Sequence, residues 1–215
     1  MERNKARTRN AILAAAGRLL AREGFRNLGI NAVAREAGVD KVLIYRYFGG
    51  MDDLLKAYAE AGDFWPSAES LIAAVQAGRP HNDAELAANL LIEFGRAIRR
   101  RPITQEIMRW ELLERNELTD ALARYREEEA VKLLGFLRES GDVDVQAIGA
   151  VLAAGQTYLI LRAKTAETYD GLRLDEDGDW ARVEAAIRSL VSLAFDAGAR
   201  TAKRPPRRAT RSRAR

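Results

Sequence analysis

Residues 24–55, GFRNLGINAVAREAGVDKVLIYRYFGGMDDLL, constrain the chain more than any other segment. They read as two short helices joined by a glycine turn. Val33 and Ala34 are apolar, Ala37 is small, and Gly38 follows at once. A glycine just past a helix takes the left-handed conformation that ends it and redirects the chain. Val39 resumes the apolar pattern, and Asp40 suits the N-cap of a new helix, since its carboxylate accepts from free backbone N–H groups. Ile44 and Phe48 stand four apart and share a face. That face is expected to pack on Val33, Ala34 and Ala37.

This is the form of a helix-turn-helix whose second helix enters the DNA major groove. Lys41, Leu43, Tyr45, Arg46 and Tyr47 fall on the remaining faces of the second helix. Lys and Arg there meet phosphates or guanine edges, tyrosine hydroxyls meet phosphates, and Leu43 offers apolar contact to a thymine methyl. The candidate DNA-contact set is Asn31, Lys41, Val42, Leu43, Tyr45, Arg46 and Tyr47. Upstream, Ile12, Leu13, Ala16, Leu19 and Leu20 follow helical spacing. That first helix should end near Gly24, with Phe25 closing the small core. Downstream, Asp52 and Asp53 sit where acids suit the dipole of the next helix, which Leu54, Leu55 and Tyr58 continue.

On Ile12, Ala15 or Ala16, Gly24-Phe25, Val33-Ala34, Ala37-Gly38-Val39, Tyr45, Phe48 and Leu54, the stretch from Thr8 to Leu55 resembles the TetR (tetracycline-repressor-like) family of bacterial transcription regulators. The matches run in order, at the right spacing, near the N-terminus. Several positions depart from the family pattern. Gly29 stands where a hydroxyl residue usually caps the second helix. Val42 and Leu43 replace a small residue and a threonine, Tyr47 a frequent histidine, and Met51 a phosphate-contacting lysine. The load then falls on Lys41, Arg46, Tyr45 and Asn31.

The charge layout agrees with a DNA-facing end. Residues 1–50 hold 10 Lys and Arg against 4 Asp and Glu, residues 51–200 hold 18 against 27, and residues 201–215 hold 7 against none, for a net +4. An acidic body with a basic head presents one end to DNA. Arg3, Lys5, Arg7 and Arg9 are expected to precede the first helix, either reaching along the phosphate backbone or forming a solvated, disordered N-terminus. The tail TAKRPPRRATRSRAR has no apolar pattern and reads as disordered. It adds non-specific DNA affinity or only solubility, with an acidic membrane surface a weaker third possibility.

The chain is expected to be all-α, since period-two alternation is missing. A three-helix DNA-binding domain with the helix-turn-helix (1–50) precedes a larger helical ligand-binding and dimerisation domain (51–200; about nine helices) and the basic tail (201–215). There is no cysteine, so disulfide and thiolate chemistry are excluded. No apolar leader and no run near the ~18 apolar residues of a membrane span are visible, which fits a cytoplasmic protein with no membrane partner. His81 is the one histidine and sits in a Pro/Asn/Asp loop. No metal spacing, nucleophile elbow or phosphate-cradling loop appears, so neither an enzyme nor a metal or cofactor is expected. Glu127-Glu128-Glu129 and Asp175-Glu176-Asp177 read as solvated charge.

In the body, helices are expected from Met51 toward Phe64, ending near Trp65-Pro66, then over 67–77, 83–100, 103–115, 118–139, 143–167 and 179–199. Gly141-Asp142 breaks the pattern before the last pair, which YDGLRLDEDGD joins as an acidic loop. Ala147, Gly149, Ala150, Ala153, Ala154 and Gly155 keep one surface of the first of that pair shallow. Trp180, Val183, Ile187, Leu190, Val191 and Ala194 make an apolar stripe on the second. The resemblance implies a homodimer, which those two helices would build as a four-helix interface through Ala150, Ala154, Trp180, Val183, Ile187 and Val191; the alternative is that both stripes are core within one chain. It also implies double-stranded operator DNA as partner, with half-sites roughly 34–36 Å apart or a multiple of that. A pocket for an unknown small-molecule effector is implied among the middle helices. Candidates are Trp65, Phe94, Met108, Trp110, Glu111, Tyr125 and Gln156, together with Phe64 and Tyr158, with Trp110-Glu111 and Gln156 foremost; aromatic walls with a few polar groups suit a ligand, while any one aromatic at helical spacing also fits plain core. Effector binding would swing the fourth helix, with Met51 and Asp52 at its DNA end, and release the operator; repression is the family's usual mode. The alternative reading is a helical protein-binding adaptor without operator-specific DNA binding.

Overall fold

The computed structural model describes residues 2–24, 27–60, 65–113, 117–137 and 143–202. Phe25, Phe64, Gly141-Asp142 and the tail from residue 203 lie outside the described residues. Among the described residues ten helices run in order: α1 (Glu2–Glu23), α2 (Ile30–Ala37), α3 (Lys41–Phe48), α4 (Met51–Glu60), α5 (Ala68–Ala77), α6 (Asp83–Arg99), α7 (Pro102–Glu111), α8 (Glu117–Phe136), α9 (Val145–Arg162) and α10 (Asp177–Ala202). The all-α expectation holds, apart from one minimal hairpin, β1 (Thr168–Tyr169) with β2 (Leu172–Arg173). Asp170 (φ 46°) and Gly171 (φ 81°) make its turn. Both have positive φ, as a two-residue hairpin turn of this sequence requires. The strands are too short to register as alternation, so the segment reads as loop from sequence.

Three further boundaries differ from expectation. Arg3, Lys5, Arg7 and Arg9 lie within α1, not before it. An unbroken helical spacing from Glu2 lets α1 start at once, and the Arg9 guanidinium sits 5.2 Å over the Phe48 ring. α9 stops at Arg162, where Ala163 caps it, short of the expected end. α10 runs to Ala202, into the segment expected to be disordered tail.

α1 buries Ile12, Leu13, Ala15, Ala16 and Leu19 against Val33, Ala34, Ile44, Phe48 and Leu54, forming a small core of the first four helices. Its last leucine, Leu20, belongs instead to the main core with Leu55, Trp65, Ile98, Ile107, Leu122, Ile160, Leu174 and Trp180. The N-terminal helices are therefore seated on the rest through shared apolar packing, α1 on α7 and α4 on α8.

α6 is the central post, with α5, α7, α9 and α10 around it. Burial on nearly every side follows, from Ala87, Ala88, Leu90, Ile92, Gly95, Ala97 and Ile98. Three polar ties weld α6 to α10. Arg96 donates to both oxygens of Glu184 (2.8 and 2.6 Å), Arg99 pairs with Asp177 (3.1 Å), and Arg188 donates to Asn89 Oδ1 (2.5 Å). Arg99 also stacks 4.4 Å over the Trp180 ring, whose indole N–H donates to the Leu174 carbonyl (2.9 Å).

Glu129 departs from the solvated reading of its charge run. Glu127 and Glu128 are exposed, but Glu129 is 4% exposed. Its carboxylate accepts from the Ala68 backbone N–H at 2.6 Å, at the first residue of α5, and from Lys132 at 2.5 Å. A helix start leaves its first N–H groups without intrahelical partners, and here a carboxylate from α8 supplies one. Burial opposes ionisation of Glu129, but the Lys132 and Ala68 hydrogen bonds outweigh it and hold the carboxyl below its ordinary value.

Candidate nucleic-acid interface and ligand cavity

The turn between α2 and α3 forms as its residues dictate. Gly38 is left-handed (φ 66°, ψ 33°). Its N–H donates to the Arg35 carbonyl (3.2 Å), and that of Val39 to the Ala34 carbonyl (3.0 Å). This is the paired closure of a Schellman motif, which satisfies orphan carbonyls of α2. Asp40 caps α3 by accepting from the Val42 N–H at 2.8 Å. Gly29 stands at the α2 N-cap and contributes no side-chain bond, so the usual hydroxyl contact is missing.

α3 divides its faces cleanly. Ile44 and Phe48 are buried against α1 and α2. Lys41, Val42, Tyr45 and Arg46 are exposed, with Val42 62% and Tyr45 53% open. Asn31 is exposed on α2. Leu43 and Tyr47 differ from their expected place: both are half-buried and packed against the small core. The helical angle puts them at the flanks of the buried face, so each has less surface to offer a groove. Met51, too, is half-buried, packed against both cores. An apolar side chain there has a packing reason, which accounts for the missing lysine.

α1 holds α2 by charge as well as packing. Arg18 Nε donates to Glu36 Oε1 (2.8 Å), and Arg22 pairs with Glu36 Oε2 (3.0 Å). Hydrogen bonds from Arg18 and then Arg22 hold the Glu36 carboxyl below its ordinary value. Glu36 is thereby neutralised beside the basic face.

A second candidate site lies in the body. A half-open cavity of about 270 Å³ lies among α6, α8, α9 and α10, with Trp65 also in its lining. Its wall is chiefly apolar: Leu90, Phe94, Leu134, Ile148 and Phe195 take part. Arg126, Glu127 and Gln146 are its charged and amide members. Trp65 and Phe94 meet at 5.5 Å between ring centroids and line it as expected.

The other candidates are placed differently. Met108, Trp110 and Tyr125 are partly buried against the main core and do not line the cavity. Glu111 is held by Arg126, which donates to both its oxygens through its two terminal nitrogens. Gln156 is buried, donates to the Leu91 carbonyl at 2.9 Å, and serves the α6–α9 contact outside the cavity wall. Sequence reasoning misses Arg126. It stands in the charge run RYREEE, which signals solvent, and only the fold brings it 5.4 Å over Trp65 at the cavity.

The expected dimer residues also separate. Ala150 and Ala154 are exposed on α9. Trp180, Ile187 and Val191 are buried within the chain, and Val183 is half-buried beside them. They form the face of α10 that packs on α6, so they are not available to a second subunit. The apolar stripe is real, but α6 covers it. The open side chains are Val151 (71% exposed) and Tyr158 (53%) on α9, and Leu190 (52%) and Leu193 (62%) on α10. Among the described residues α9 is the one helix long and apolar enough to cross a membrane by length and composition.

His81 is exposed in its loop, its backbone N–H donating to Glu85 (2.8 Å). Among the described residues no group of three or more His, Cys, Asp or Glu is placed to hold a metal.

Residues 12–58 match the family model of bacterial regulatory proteins, tetR family. A comparison with curated proteins found no match. Among solved structures, a TetR family transcription regulator from Marinobacter aquaeolei VT8 superposes with a TM-score of 0.58 at 19% identity, over 92% of this chain and 98% of that one. The fatty acid degradation regulator FadR from Bacillus halodurans gives 0.60 at 16%, over 87% and 94%. The TetR family regulator PfmR from Thermus thermophilus gives 0.56 at 18%, over 86% and 97%. Residues 12–58 are thus similar to the bacterial regulatory proteins of the tetR family, and the chain as a whole shares its fold with the solved TetR-family structures.

Proposed function

We propose that this protein is a homodimeric, sequence-specific DNA-binding repressor that a small-molecule effector releases from its operator. The observation that carries the reading is the division of α3. One face, Ile44 and Phe48, is locked into the head, while Lys41, Val42, Tyr45 and Arg46 stand free on the other. A rigid helix with free basic and aromatic side chains suits major-groove readout. We assign residues 1–50 to the DNA-binding head and 51–200 to the effector-binding and dimerisation body.

The dimer face is the exposed side of the last two long helices. Ala147, Val151, Ala154 and Tyr158 recur at helical spacing on α9, as do Ala186, Leu190, Leu193 and Ala197 on α10. Small and apolar side chains on two adjacent helices suit a two-fold four-helix interface. The same face accounts for the apolar surface of α9 without a membrane.

The cavity supports effector binding. Its wall residue Trp65 belongs to the core cluster that also holds Leu20 of α1 and Leu55 of α4. Occupancy that moves Trp65 is thereby felt by both helices that seat the head. By linkage, operator binding then weakens effector binding by the same factor. The test is binding to the DNA upstream of the chain's own gene. Salt-sensitive, sequence-selective binding lost in R46A and Y45A supports the reading; a helical adaptor would show neither.

A further inference from the structure

Among the described residues lining the cavity, Arg126 is the one cation. Its side chain is 19% exposed, stacked on Trp65 and forked onto Glu111, itself 20% exposed. We propose that the cavity takes an apolar carboxylate, whose head group exchanges with Glu111 for the Arg126 guanidinium while its chain lies along Leu90, Phe94 and Leu134. The proposal rests on the effector-binding reading above and names the effector's chemistry.

Three features point this way. First, the guanidinium already holds a carboxylate through two parallel N–H groups, so its geometry suits that head group; planar two-point recognition is what arginine offers and an ammonium does not. Second, stacking on Trp65 keeps the guanidinium at the wall when its partner changes. Third, the remaining lining is apolar and rewards a hydrocarbon chain. Glu127 also lines the cavity but is exposed, where water screens its charge. At about 30 Å³ per water-sized group, a cavity of about 270 Å³ takes on the order of ten non-hydrogen atoms. That is the size of octanoate.

The exchange has a built-in consequence. The Arg126–Glu111 pair bridges α8 and α7. α7 packs on α1 and α8 packs on α4, so these two helices carry the head. A ligand that takes Arg126 from Glu111 unfastens them from one another.

The test uses the full chain without DNA, with octanoate, octan-1-ol and octylamine titrated by calorimetry. Octanoate is expected to bind at least tenfold more tightly than either analogue. R126Q should bring octanoate down to the level of octanol. E111Q should tighten octanoate severalfold and leave octanol unchanged, a gain that a misfolded variant cannot give. Octanol binding as tightly as octanoate, R126Q binding octanoate like the wild type, E111Q weakening it, or no octanoate binding would each overturn the proposal. Because no DNA is present, such a failure leaves the operator reading standing, and a failure to bind an operator leaves this one standing.

Discussion

Gln156 on α9 lies so close to Gly95 on α6 that a Cβ at position 95 would stand 2.2 Å from its Oε1. The missing side chain lets Gln156 cross α6 and donate to the Leu91 carbonyl at 2.9 Å. In a helix interior, Gly→Ala ordinarily gains ~1 kcal/mol. Here the contact forces Gln156 away from its partner and overpacks a buried site, which costs about 1–3 kcal/mol. G95A is therefore expected to be neutral or destabilising by up to ~2 kcal/mol in urea unfolding. The double variant G95A/Q156A should lose the clash and show a coupling of at least ~1 kcal/mol between the two positions.

The buried Glu129 carboxylate gives a pH signature. Its folded-state value is held below the ordinary one, so its contribution is full above the unfolded value and is lost as pH falls through the folded value. E129A leaves the Ala68 N–H without its carboxylate and should cost about 1–3 kcal/mol at neutral pH. The wild-type advantage over E129A should shrink as the pH is lowered below ~4.5. Thermal melts of both proteins from neutral to acid pH measure it; a difference independent of pH would refute the assignment.

The open face of α9 and α10 and the buried face of α10 should respond oppositely. Leu193 is 62% and Val151 71% exposed, so L193D and V151D should change monomer stability by no more than ~0.5 kcal/mol. Both should shift sedimentation toward monomer. W180A empties a buried site and should cost about 3–5 kcal/mol without acting through the interface.

On the recognition helix, R46A should weaken operator binding by about 1–3 kcal/mol and relax preference at one base pair, if Arg46 reads guanine. A Lys41 that meets phosphate behaves differently: K41A should weaken binding uniformly and reduce the salt slope by about one. Fluorescence anisotropy over a salt series separates the two roles.

What the sequence makes legible is what local rules decide. Gly38, Asp40 and the Ile44–Phe48 spacing each act within one turn of chain, and the structure places all of them as read. Residues whose roles come from distant partners are not legible. Arg126 and Glu129 stand in a charge run, and only the fold brings them their distant partners, Glu111 on α7 and the Ala68 N–H on α5. The stripe from Trp180 to Val191 is visible, but nothing in a stripe says which helix covers it; α6 does. Asp170-Gly171 does carry a hairpin signal, though its two-residue strands give no alternation to support it.

The central claim is that α3 reads DNA sequence as one half of a two-fold pair. In-vitro selection from random duplex DNA with the full-length protein, followed by footprinting of the selected site, tests this most directly. The account predicts a two-fold symmetric site with half-site centres one or more helical turns apart, and selection that R46A and Y45A abolish. Salt-dependent retention of DNA with no enriched sequence, or enrichment that survives both substitutions, would contradict it.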